Sequence, residues 1–176
     1  MSSDLSKYIR SIKDFPKRGI MFRDITTLLK DPAALHETLG ILYGFAKDLS
    51  ISKVIGIESR GFIFGALLAD KLNAGFVPIR KPGKLPAATE KASYALEYGT
   101  DTIEIHKDAI KVGERVLLHD DLLATGGTAG AAANLIEKLG GEVVQISFII
   151  ELTFLNGRNK LKNYDVRSLI EYNDEE

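Results

Sequence analysis

The sequence of 176 residues contains no cysteine, so disulfide bonds and thiolate chemistry are excluded. Its three histidines, His36, His106 and His119, lack the spacing of metal ligands, and we interpret His119 as a structural residue at the end of a strand. The formal net charge of -1 gives no general attraction to nucleic acid. No apolar run approaches membrane-spanning length, and we find no signal-peptide-like region. We therefore expect a cytoplasmic protein with neither a nucleic acid nor a membrane as partner.

The remaining composition is that of a folded domain. Hydrophobic residues make up 45% of the chain, no low-complexity tract interrupts it, and a chain of this length can bury a substantial core. We predict one domain over residues 1–176. Short β-rich runs alternate with helical spacing, and this alternation predicts an α/β fold with a mainly parallel central sheet flanked by helices.

Apolar periodicity predicts the elements of that sheet. The predicted strands are 53–57, 75–79, 115–118 and 143–150. A first helix is predicted to start at Asp31-Pro32 and to carry one apolar stripe, formed by Leu35, Leu39, Leu42 and Phe45. Two further helices are predicted over 62–72 and from about Thr128 to the glycine pair at 140–141.

The most informative stretch is residues 116–128, Val-Leu-Leu-His-Asp-Asp-Leu-Leu-Ala-Thr-Gly-Gly-Thr, which joins a buried strand to a loop and then to a helix. In such β-α-β units ligands bind beyond the carboxyl ends of the strands. Gly126 and Gly127 let the backbone approach a ligand and present N–H groups to it, while the hydroxyls of Thr125 and Thr128 can donate as well. The loop therefore suits a phosphate dianion.

Asp120 and Asp121, just before this loop, suit a different part of a ligand. Carboxylates only accept hydrogen bonds and repel phosphate, but they match two neighbouring sugar hydroxyls or a hard cation such as Mg²⁺. The acids and the loop together describe a site for ribose 5-phosphate. The alternative interpretation is that two acids and a glycine turn only cap a helix, and the full run favours the ligand site over that alternative.

Two common phosphate-binding loops do not fit the stretch. The Walker loop needs a lysine directly before its Ser or Thr, and a dinucleotide fold needs G-x-G-x-x-G at its first helix. The stretch resembles instead the phosphoribosyl pyrophosphate motif of type I phosphoribosyltransferases, in which apolar residues and two acids precede Ala-Thr-Gly-Gly-Thr.

Basic residues follow two other predicted strands. Arg60 lies in the turn after the strand 53–57, and Arg80, Lys81 and Lys84 follow the strand 75–79. Because the carboxyl ends of parallel strands meet at one edge of the sheet, these cations lie beside the predicted phosphate loop. Their clustering predicts a second, more highly charged anion. The alternative is solvated surface charge, which accounts for most Arg and Lys side chains in proteins.

Residues 82–101 show neither a helical nor a buried-strand pattern, and we predict a flexible lid loop there. A lid would keep water from a ribose whose C1 carries oxocarbenium character. Glu97 lies in this segment between Leu96 and Tyr98, and its carboxyl group, once desolvated, could exchange a proton with a purine nitrogen. The alternative is that Glu97 is an outward-facing strand residue.

Six further segments, in order along nearly the whole chain, resemble the adenine phosphoribosyltransferase family of type I phosphoribosyltransferases. They are Asp-Phe-Pro at 14–16, Gly-Ile-Met-Phe-Arg-Asp-Ile at 19–25, Glu-Ser-Arg-Gly-Phe at 58–62, Arg-Lys-Pro-Gly-Lys-Leu-Pro at 80–86, Tyr-Ala-Leu-Glu-Tyr-Gly at 94–99 and Ile-Glu-Leu at 150–152. Each segment alone is weak, but six in register beside the 116–128 motif are highly specific.

The resemblance implies roles for the residues around the phosphoribosyl group. The 5-phosphate would be held by Ala124, Thr125, Gly126, Gly127 and Thr128, and the ribose hydroxyls by Asp120 and Asp121. The pyrophosphate-binding set would be Glu58, Ser59, Arg60, Arg80, Lys81 and Lys84, some of them acting across a homodimer interface. The family also places a non-proline cis peptide at the turn that corresponds to Glu58-Ser59.

For the base, the resemblance implies a small N-terminal hood formed by residues 1–30. Backbone groups of Met21 would read the Watson-Crick edge of adenine, Phe22 and Leu152 would give apolar contact, and Arg23 would lie near a ring nitrogen. Glu97 would be the proton-transfer residue. Mg²⁺ would arrive with the substrate, near Asp120 and Asp121 and without an assigned direct side-chain ligand, and would neutralise the leaving group.

The predicted reaction is transfer of phosphoribosyl from 5-phosphoribosyl 1-pyrophosphate (PRPP) to N9 of adenine, giving AMP and pyrophosphate in purine salvage. One alternative is a related enzyme for guanine, hypoxanthine or xanthine, although those enzymes usually place an acid and a lysine near the base. The other is a non-catalytic regulator that senses PRPP. The near-neutral charge, the lack of an appended helix-turn-helix and the presence of Glu97 argue against the regulator.

Overall fold

A five-stranded parallel sheet is the framework of the structure, a computed structural model that describes residues 4–95 and 99–175. In order across the sheet its strands are β4 (Gly75–Ile79), β3 (Lys53–Ile57), β7 (Arg115–Leu123), β8 (Glu142–Leu152) and β9 (Val166–Tyr172). The predicted α/β fold class is therefore confirmed.

The predicted strands agree with this sheet to different degrees. β3 and β4 have the predicted bounds, whereas β7 and β8 both continue beyond their predicted ends. The extension of β7 to Leu123 places Asp120 and Asp121 inside the strand rather than in the following loop. β9 was not predicted.

Helices cover both faces of the sheet. α1 (Thr26–Leu29), α2 (Pro32–Ala46) and α3 (Gly61–Lys71) pack on one face, and α4 (Gly127–Lys138) packs on the other. Alternate residues of β7 show the two cores, since Val116 and Leu118 belong to the core under α4 and Leu117 to the opposite core. None of the helices in the described part of the chain is long and apolar enough to cross a membrane.

The first long helix, α2, begins as predicted but presents a different face. The Asp31 carboxylate accepts a hydrogen bond of 2.9 Å from the Ala34 N–H, and Pro32 occupies the first turn. The fully buried positions are Ala34, Thr38, Leu42 and Ala46, whereas Leu35, Leu39 and Phe45 are only half-buried. The face of α2 that packs on the sheet is therefore displaced by about one residue from the predicted stripe. Its small side chains allow a closer approach of the helix to the sheet.

The segment predicted as a lid loop, residues 82–101, contains β-strand structure that was not predicted, and its action as a lid stays a prediction. β5 (Thr89–Ala95) and β6 (Thr100–His106) form an antiparallel hairpin in register from Thr89 opposite His106 to Ala95 opposite Thr100. Ala92 and Tyr94 pack against the core under α4, which gives β5 an inner and an outer face. Glu97 and its neighbours lie outside the described residues.

A second antiparallel hairpin lies within residues 1–30, the segment predicted to be the hood, and we keep that name for the hairpin. β1 (Arg10–Lys13) pairs with β2 (Met21–Asp24), and the ring of Phe15 meets that of Phe22 edge-on at a centroid distance of 5.1 Å. The peptide bond between Phe15 and Pro16 is cis. The hairpin stands beside the carboxyl ends of β7 and β8, because Leu122 and Leu152 line a cavity together with Met21 and Phe22.

Candidate active site

The two predicted acids lie at the carboxyl end of β7, in the wall of a polar cavity of about 380 Å³. Asp121 is 5% exposed and Asp120 is half-buried. The Asp121 N–H donates to a carboxylate oxygen of Asp120 at 2.9 Å. Burial, and then the neighbouring charge of Asp121, raises the pKa of Asp120 well above its ordinary value. The pair therefore places two hydrogen-bond acceptors side by side, and a diol or a cation bound there would stabilise their negative charges.

Arg60 connects this acid pair to the hood. Its Nε donates to the carboxylate of Asp121, and its guanidinium carbon lies 5.1 Å from the ring centroid of Phe22. The preceding peptide bond, between Glu58 and Ser59, is cis as the family resemblance implies. Arg60 therefore contacts both the acid pair and the β1-β2 hairpin.

Glu58 organises the cations that follow β4. Its carboxylate accepts hydrogen bonds from the Lys81 N–H at 2.9 Å, from Arg80 Nε at 3.3 Å and from the ammonium of Lys84. Burial works to raise the pKa of Glu58, but these donors outweigh it and lower that pKa to about 2. Glu58 thus anchors these cations, and its own charge would repel an anion, so its predicted role towards pyrophosphate would be indirect.

Lys81 is held in the polar cavity by the hairpin. Its ammonium bonds to the carboxylate of Asp101 at the start of β6, and the Tyr94 hydroxyl donates to the same oxygen at 3.1 Å. Burial works to lower the pKa of Lys81, but the bond to Asp101 outweighs it and keeps that pKa above its ordinary value. The lysine is therefore a permanent cation in a wall of the cavity.

The predicted phosphate loop follows β7 directly. Gly126 has φ +75, which favours glycine, and α4 begins at the next residue. A Cβ atom at Gly126 would overlap the carbonyl oxygen of Gly157, which lies behind the loop. A small cavity of about 70 Å³ lies within the loop, and Asp120, Thr125 and Thr128 are among its lining residues. The loop is thus supported from behind and open on its ligand side.

The hood encloses the third cavity, which measures about 510 Å³ and is mainly apolar. All four residues predicted for adenine, Met21, Phe22, Arg23 and Leu152, line it. The guanidinium of Arg23 stacks on the ring of Tyr172 at 3.9 Å and donates to the Ser11 hydroxyl. The guanidinium therefore also fastens the hood to β9.

The three cavities meet at one place. Leu122 and Ala124 line the polar cavity, the hood cavity and the loop cavity alike. A ligand whose sugar lies over these two residues can reach all three compartments. The arrangement therefore brings a mainly apolar cavity, a pair of acids, a glycine loop and a cationic wall around a single point.

Several lining residues were not found from the sequence. In the hood cavity they are Leu122, Phe154 and Leu155, and in the polar cavity they are Ile57, Ile79, Tyr94 and Ile103. Phe154 and Leu155 lie in a short 3-10 turn, which has no apolar periodicity to reveal it. Asp101, the partner of Lys81, stands opposite Tyr94 in the hairpin, and only strand pairing brings them together.

A metal site made by the protein alone is absent from residues 4–95 and 99–175, since no three His, Asp or Glu side chains there converge. The oxygen atoms of Asp120 and Asp121 are nevertheless the hard donors that Mg²⁺ prefers, and they face the same cavity as the cations. Two carboxylates would leave most of the coordination sphere of the ion to a ligand. The residues present fit a metal that is shared with a substrate.

Comparisons with known proteins agree with this geometry. The family model described as "Phosphoribosyl transferase domain" matches residues 24–174. An adenine phosphoribosyltransferase of Christiangramia forsetii is 60% identical over 172 residues, which cover 96% of this chain and 99% of that protein.

Solved structures give the same result. The adenine phosphoribosyltransferase of Thermoanaerobacter pseudethanolicus superposes with a TM-score of 0.95 at 52% identity, covering 98% of this chain and 100% of that one. The enzyme of Saccharomyces cerevisiae, solved with an imino-altritol bisphosphate and adenine, has a TM-score of 0.90 at 40% identity, covering 94% of this chain and 96% of that one.

Proposed function

This chain belongs to the adenine phosphoribosyltransferase family, and from that premise we propose that it transfers the phosphoribosyl group of PRPP to N9 of adenine. The products are AMP and pyrophosphate. The observation that carries the proposal is the meeting of three chemically distinct cavities at Leu122 and Ala124, because the reaction joins a base, a sugar and a leaving group at one carbon.

In this proposal the phosphoribosyl group spans two cavities. Its 5-phosphate accepts hydrogen bonds from the amides and hydroxyls of the loop from Ala124 to Thr128, where α4 adds the positive potential of its first turn. Its two hydroxyls donate to Asp120 and Asp121. The raised pKa of Asp120 supports this role, because hydroxyl donors would stabilise the charged form that burial disfavours.

The pyrophosphate lies against the cationic wall formed by Arg60, Arg80, Lys81 and Lys84. Each of these cations already bonds to a carboxylate, so pyrophosphate takes the place of an acid rather than filling an uncompensated positive site. The existing ion pairs keep the wall charged and ordered before the substrate arrives. The exchange also limits the net gain in affinity, because the carboxylates left behind lose their partners.

Mg²⁺ would be held by the oxygens of Asp120 and Asp121 together with those of the substrate. When it is bound it neutralises part of the charge that develops on the leaving pyrophosphate. The protein itself supplies the rest of that neutralisation through its cations. Arg60 stays oriented for this role by its contact with Phe22.

Adenine lies in the hood cavity, between Phe22 and Leu152. Backbone groups of Met21 pair with the 6-amino group and N1, and the stacked guanidinium of Arg23 keeps the β1-β2 hairpin in place against Tyr172. Exposed Lys17 and Glu175 also line this cavity, and such a pair is the feature expected of enzymes for 6-oxo purines. The choice of base therefore requires a direct test.

During the reaction the bond between C1 and the pyrophosphate oxygen breaks and the bonding electron pair leaves with pyrophosphate. N9 of adenine forms the new bond to C1 and gives up its proton. Glu97 is the residue proposed to exchange that proton with the purine, and its replacement by Gln should lower kcat about a hundredfold or more with little change in PRPP binding. Unchanged turnover would remove Glu97 from the mechanism.

The decisive experiment combines the protein with PRPP, Mg²⁺ and one base at a time. We expect AMP from adenine, with kcat/KM for adenine well above that for hypoxanthine or guanine. A higher kcat/KM for hypoxanthine would overturn the base assignment, and absence of any nucleotide product would overturn the reaction. The family resemblance also leads us to propose a cytoplasmic homodimer, and light scattering on the purified protein can test its dimeric state.

A further inference from the structure

Glu151, the middle residue of the Ile-Glu-Leu segment, is a buried carboxylate that the proposed reaction does not use. It lies near the end of β8 and is 3% exposed. Arg158 Nε and Nη2 donate to its two oxygens at 2.7 Å each, and the Ser168 hydroxyl donates at 2.6 Å. A buried carboxylate with three such donors stays charged and fixed in place.

Arg158 has further bonds that fix its own position. Its Nη1 donates to the Val166 carbonyl at 2.9 Å and its Nη2 to the Ser168 hydroxyl at 3.0 Å, both on β9. The guanidinium is thus held in a planar fork by two neighbouring strands of the central sheet. We call Glu151, Arg158 and Ser168 the clasp.

The clasp fixes the residue before Arg158, and that residue supports the phosphate loop. A Cβ atom at Gly157 would overlap the Ala124 carbonyl oxygen and would lie 2.9 Å from a methyl group of Leu123. In the other direction, a Cβ atom at Gly126 would overlap the Gly157 carbonyl oxygen. The loop therefore rests backbone against backbone on Gly157, with no room for movement between them.

The pairing of β7 with β8 also connects the clasp to the loop. Glu151 is the register partner of Leu123, the last residue of β7 before the loop. The loop is thus attached to the sheet twice, once through its own strand and once through the clasp and Gly157. Two attachments define the position of a short loop far better than one, and binding of a phosphate by backbone amides requires accurate placement.

We propose that Glu151 and Arg158 are positioning residues for the 5-phosphate, holding Gly157 as the back wall against which the loop from Ala124 to Thr128 keeps its binding conformation. The inference rests on the proposed function, since it assigns that loop to the 5-phosphate. The competing interpretation is that the clasp only joins β8 to β9. The two interpretations predict different changes in ligand affinity when the clasp is weakened by substitution.

The test uses Arg158→Lys, which keeps the positive charge beside Glu151 but loses the planar fork. We expect the dissociation constants of AMP and of ribose 5-phosphate to rise about tenfold, because the loop amides lose their alignment. The dissociation constant of pyrophosphate should change less than about twofold, since its cations follow β3 and β4. Isothermal titration of the three ligands measures this split, and KM for PRPP should rise more than kcat falls.

Ser168→Ala is the milder variant, for use if Arg158→Lys does not fold. It removes only the hydroxyl bonded to Glu151 and Arg158 and should raise the constant for ribose 5-phosphate about threefold, with pyrophosphate unaffected.

Arg115→Lys is the matched control. Arg115 donates to both oxygens of Glu142 at 3.0 Å and to the Leu49 carbonyl at 3.0 Å, at the amino ends of β7 and β8, far along the strands from the clasp. Its replacement should leave all three dissociation constants unchanged. An equal loss of affinity for all ligands in Arg158→Lys, or no loss for ribose 5-phosphate, would overturn the inference alone. Wild-type protein that binds neither AMP nor ribose 5-phosphate would overturn the proposed function and the inference with it.

Discussion

The polar cavity and the hood cavity share Leu122 and Ala124 but are stabilised in different ways. In the polar cavity, cations and acids are already joined in ion pairs, such as Arg60 with Asp121 and Lys81 with Asp101. In the hood cavity the walls are mainly apolar, and its buried cation, Arg23, stacks on an aromatic ring. One cavity is ordered by charge and the other by packing.

Because of this difference, substitutions in the two cavities should change ligand binding in different ways. A ligand of the polar cavity must replace existing ion pairs. Substitution of one residue of such a pair leaves a buried charge on the other residue without a partner. A ligand of the hood cavity replaces water against apolar walls, so its affinity follows contact area and shape. Substitutions in the polar cavity should therefore have larger effects than those in the hood cavity, and they should change kcat/KM for PRPP rather than the affinity for adenine.

Asp121→Asn should have the largest effect. The change removes the charged acceptor of a ribose hydroxyl, and one charged hydrogen bond of about 1.5–3 kcal/mol corresponds to a loss of about tenfold to a hundredfold. We expect that loss in kcat/KM for PRPP, with the adenine dissociation constant unchanged. Glu142→Gln serves as control, because Glu142 lies at the amino end of β8, away from the cavities. A loss below about tenfold would contradict the assignment of Asp121 to the sugar.

His119 tests the layer behind the polar cavity. It is fully buried, bonds to the Ser147 hydroxyl at 2.9 Å and directly precedes Asp120. Burial lowers its pKa from 6.5 to about 3. Because the folded protein then binds fewer protons than the unfolded chain, the stability contribution of neutral His119 is complete above pH 6.5 and is lost as the pH falls towards 3.

The pH effect can be isolated with His119→Gln, which keeps an amide beside Ser147 but does not titrate. Asp120, whose raised pKa has the opposite effect on stability, is present in both proteins and cancels in the comparison. The unfolding free energy of the wild type, relative to the variant, should fall by about 1.4 kcal/mol per pH unit below about 6.5. Urea unfolding at about pH 7.0, 5.5 and 4.5 measures it, and parallel curves would disprove the buried neutral state.

Gly126→Ala tests the phosphate loop beside the polar cavity. The new methyl group would meet the Gly157 carbonyl and would also disfavour the left-handed φ of +75. A conformational cost of about 1–2 kcal/mol in addition to the overlap predicts a loss of at least about tenfold in kcat/KM for PRPP. Gly113→Ala is the matched control, because Gly113 has φ +82 and nothing lies within 4 Å of the position that its new methyl group would take. Equal effects of the two variants would assign the loss to backbone strain alone.

The strand, acids, glycine loop and helix from Val116 to Lys138 could be located from sequence because all of their determinants are local. A buried strand, two carboxylates and a glycine turn follow one another without a gap from Val116 to Thr128. The strand at Lys53–Ile57 was equally visible as an apolar run between polar neighbours. Continuous segments of this kind need no tertiary information.

The partners of the cations could not be predicted in the same way. The hydrogen bonds of Glu58 with Lys84 and of Asp101 with Lys81 form between separate strands and turns, so their existence depends on the register of the finished fold. The β5-β6 hairpin was missed for the same reason. Residues 82–101 show no buried-strand pattern in the sequence, and β5 has an inner face only because Ala92 and Tyr94 pack against the core under α4.

Leu152→Ala tests the hood cavity and should have the smallest effect. Truncation of a half-buried leucine removes about 1.5 kcal/mol of apolar contact, which predicts a rise of about tenfold in KM for adenine. KM for PRPP should stay within about twofold of the wild type. Val112→Ala is the control truncation, since Val112 is 88% exposed and lines none of the three cavities.

This last variant also separates the two faces of one strand. Leu152 directly follows Glu151, so the two side chains point to opposite sides of β8, one towards the hood and the other towards the clasp. Truncation of Leu152 should therefore weaken the binding of adenine but not of PRPP, and loosening of the clasp should weaken only ligands that carry the 5-phosphate. If Leu152→Ala raised both KM values equally, the base pocket and the phosphate loop would be one cooperative unit, and the contrast between packing and charge would not extend to function.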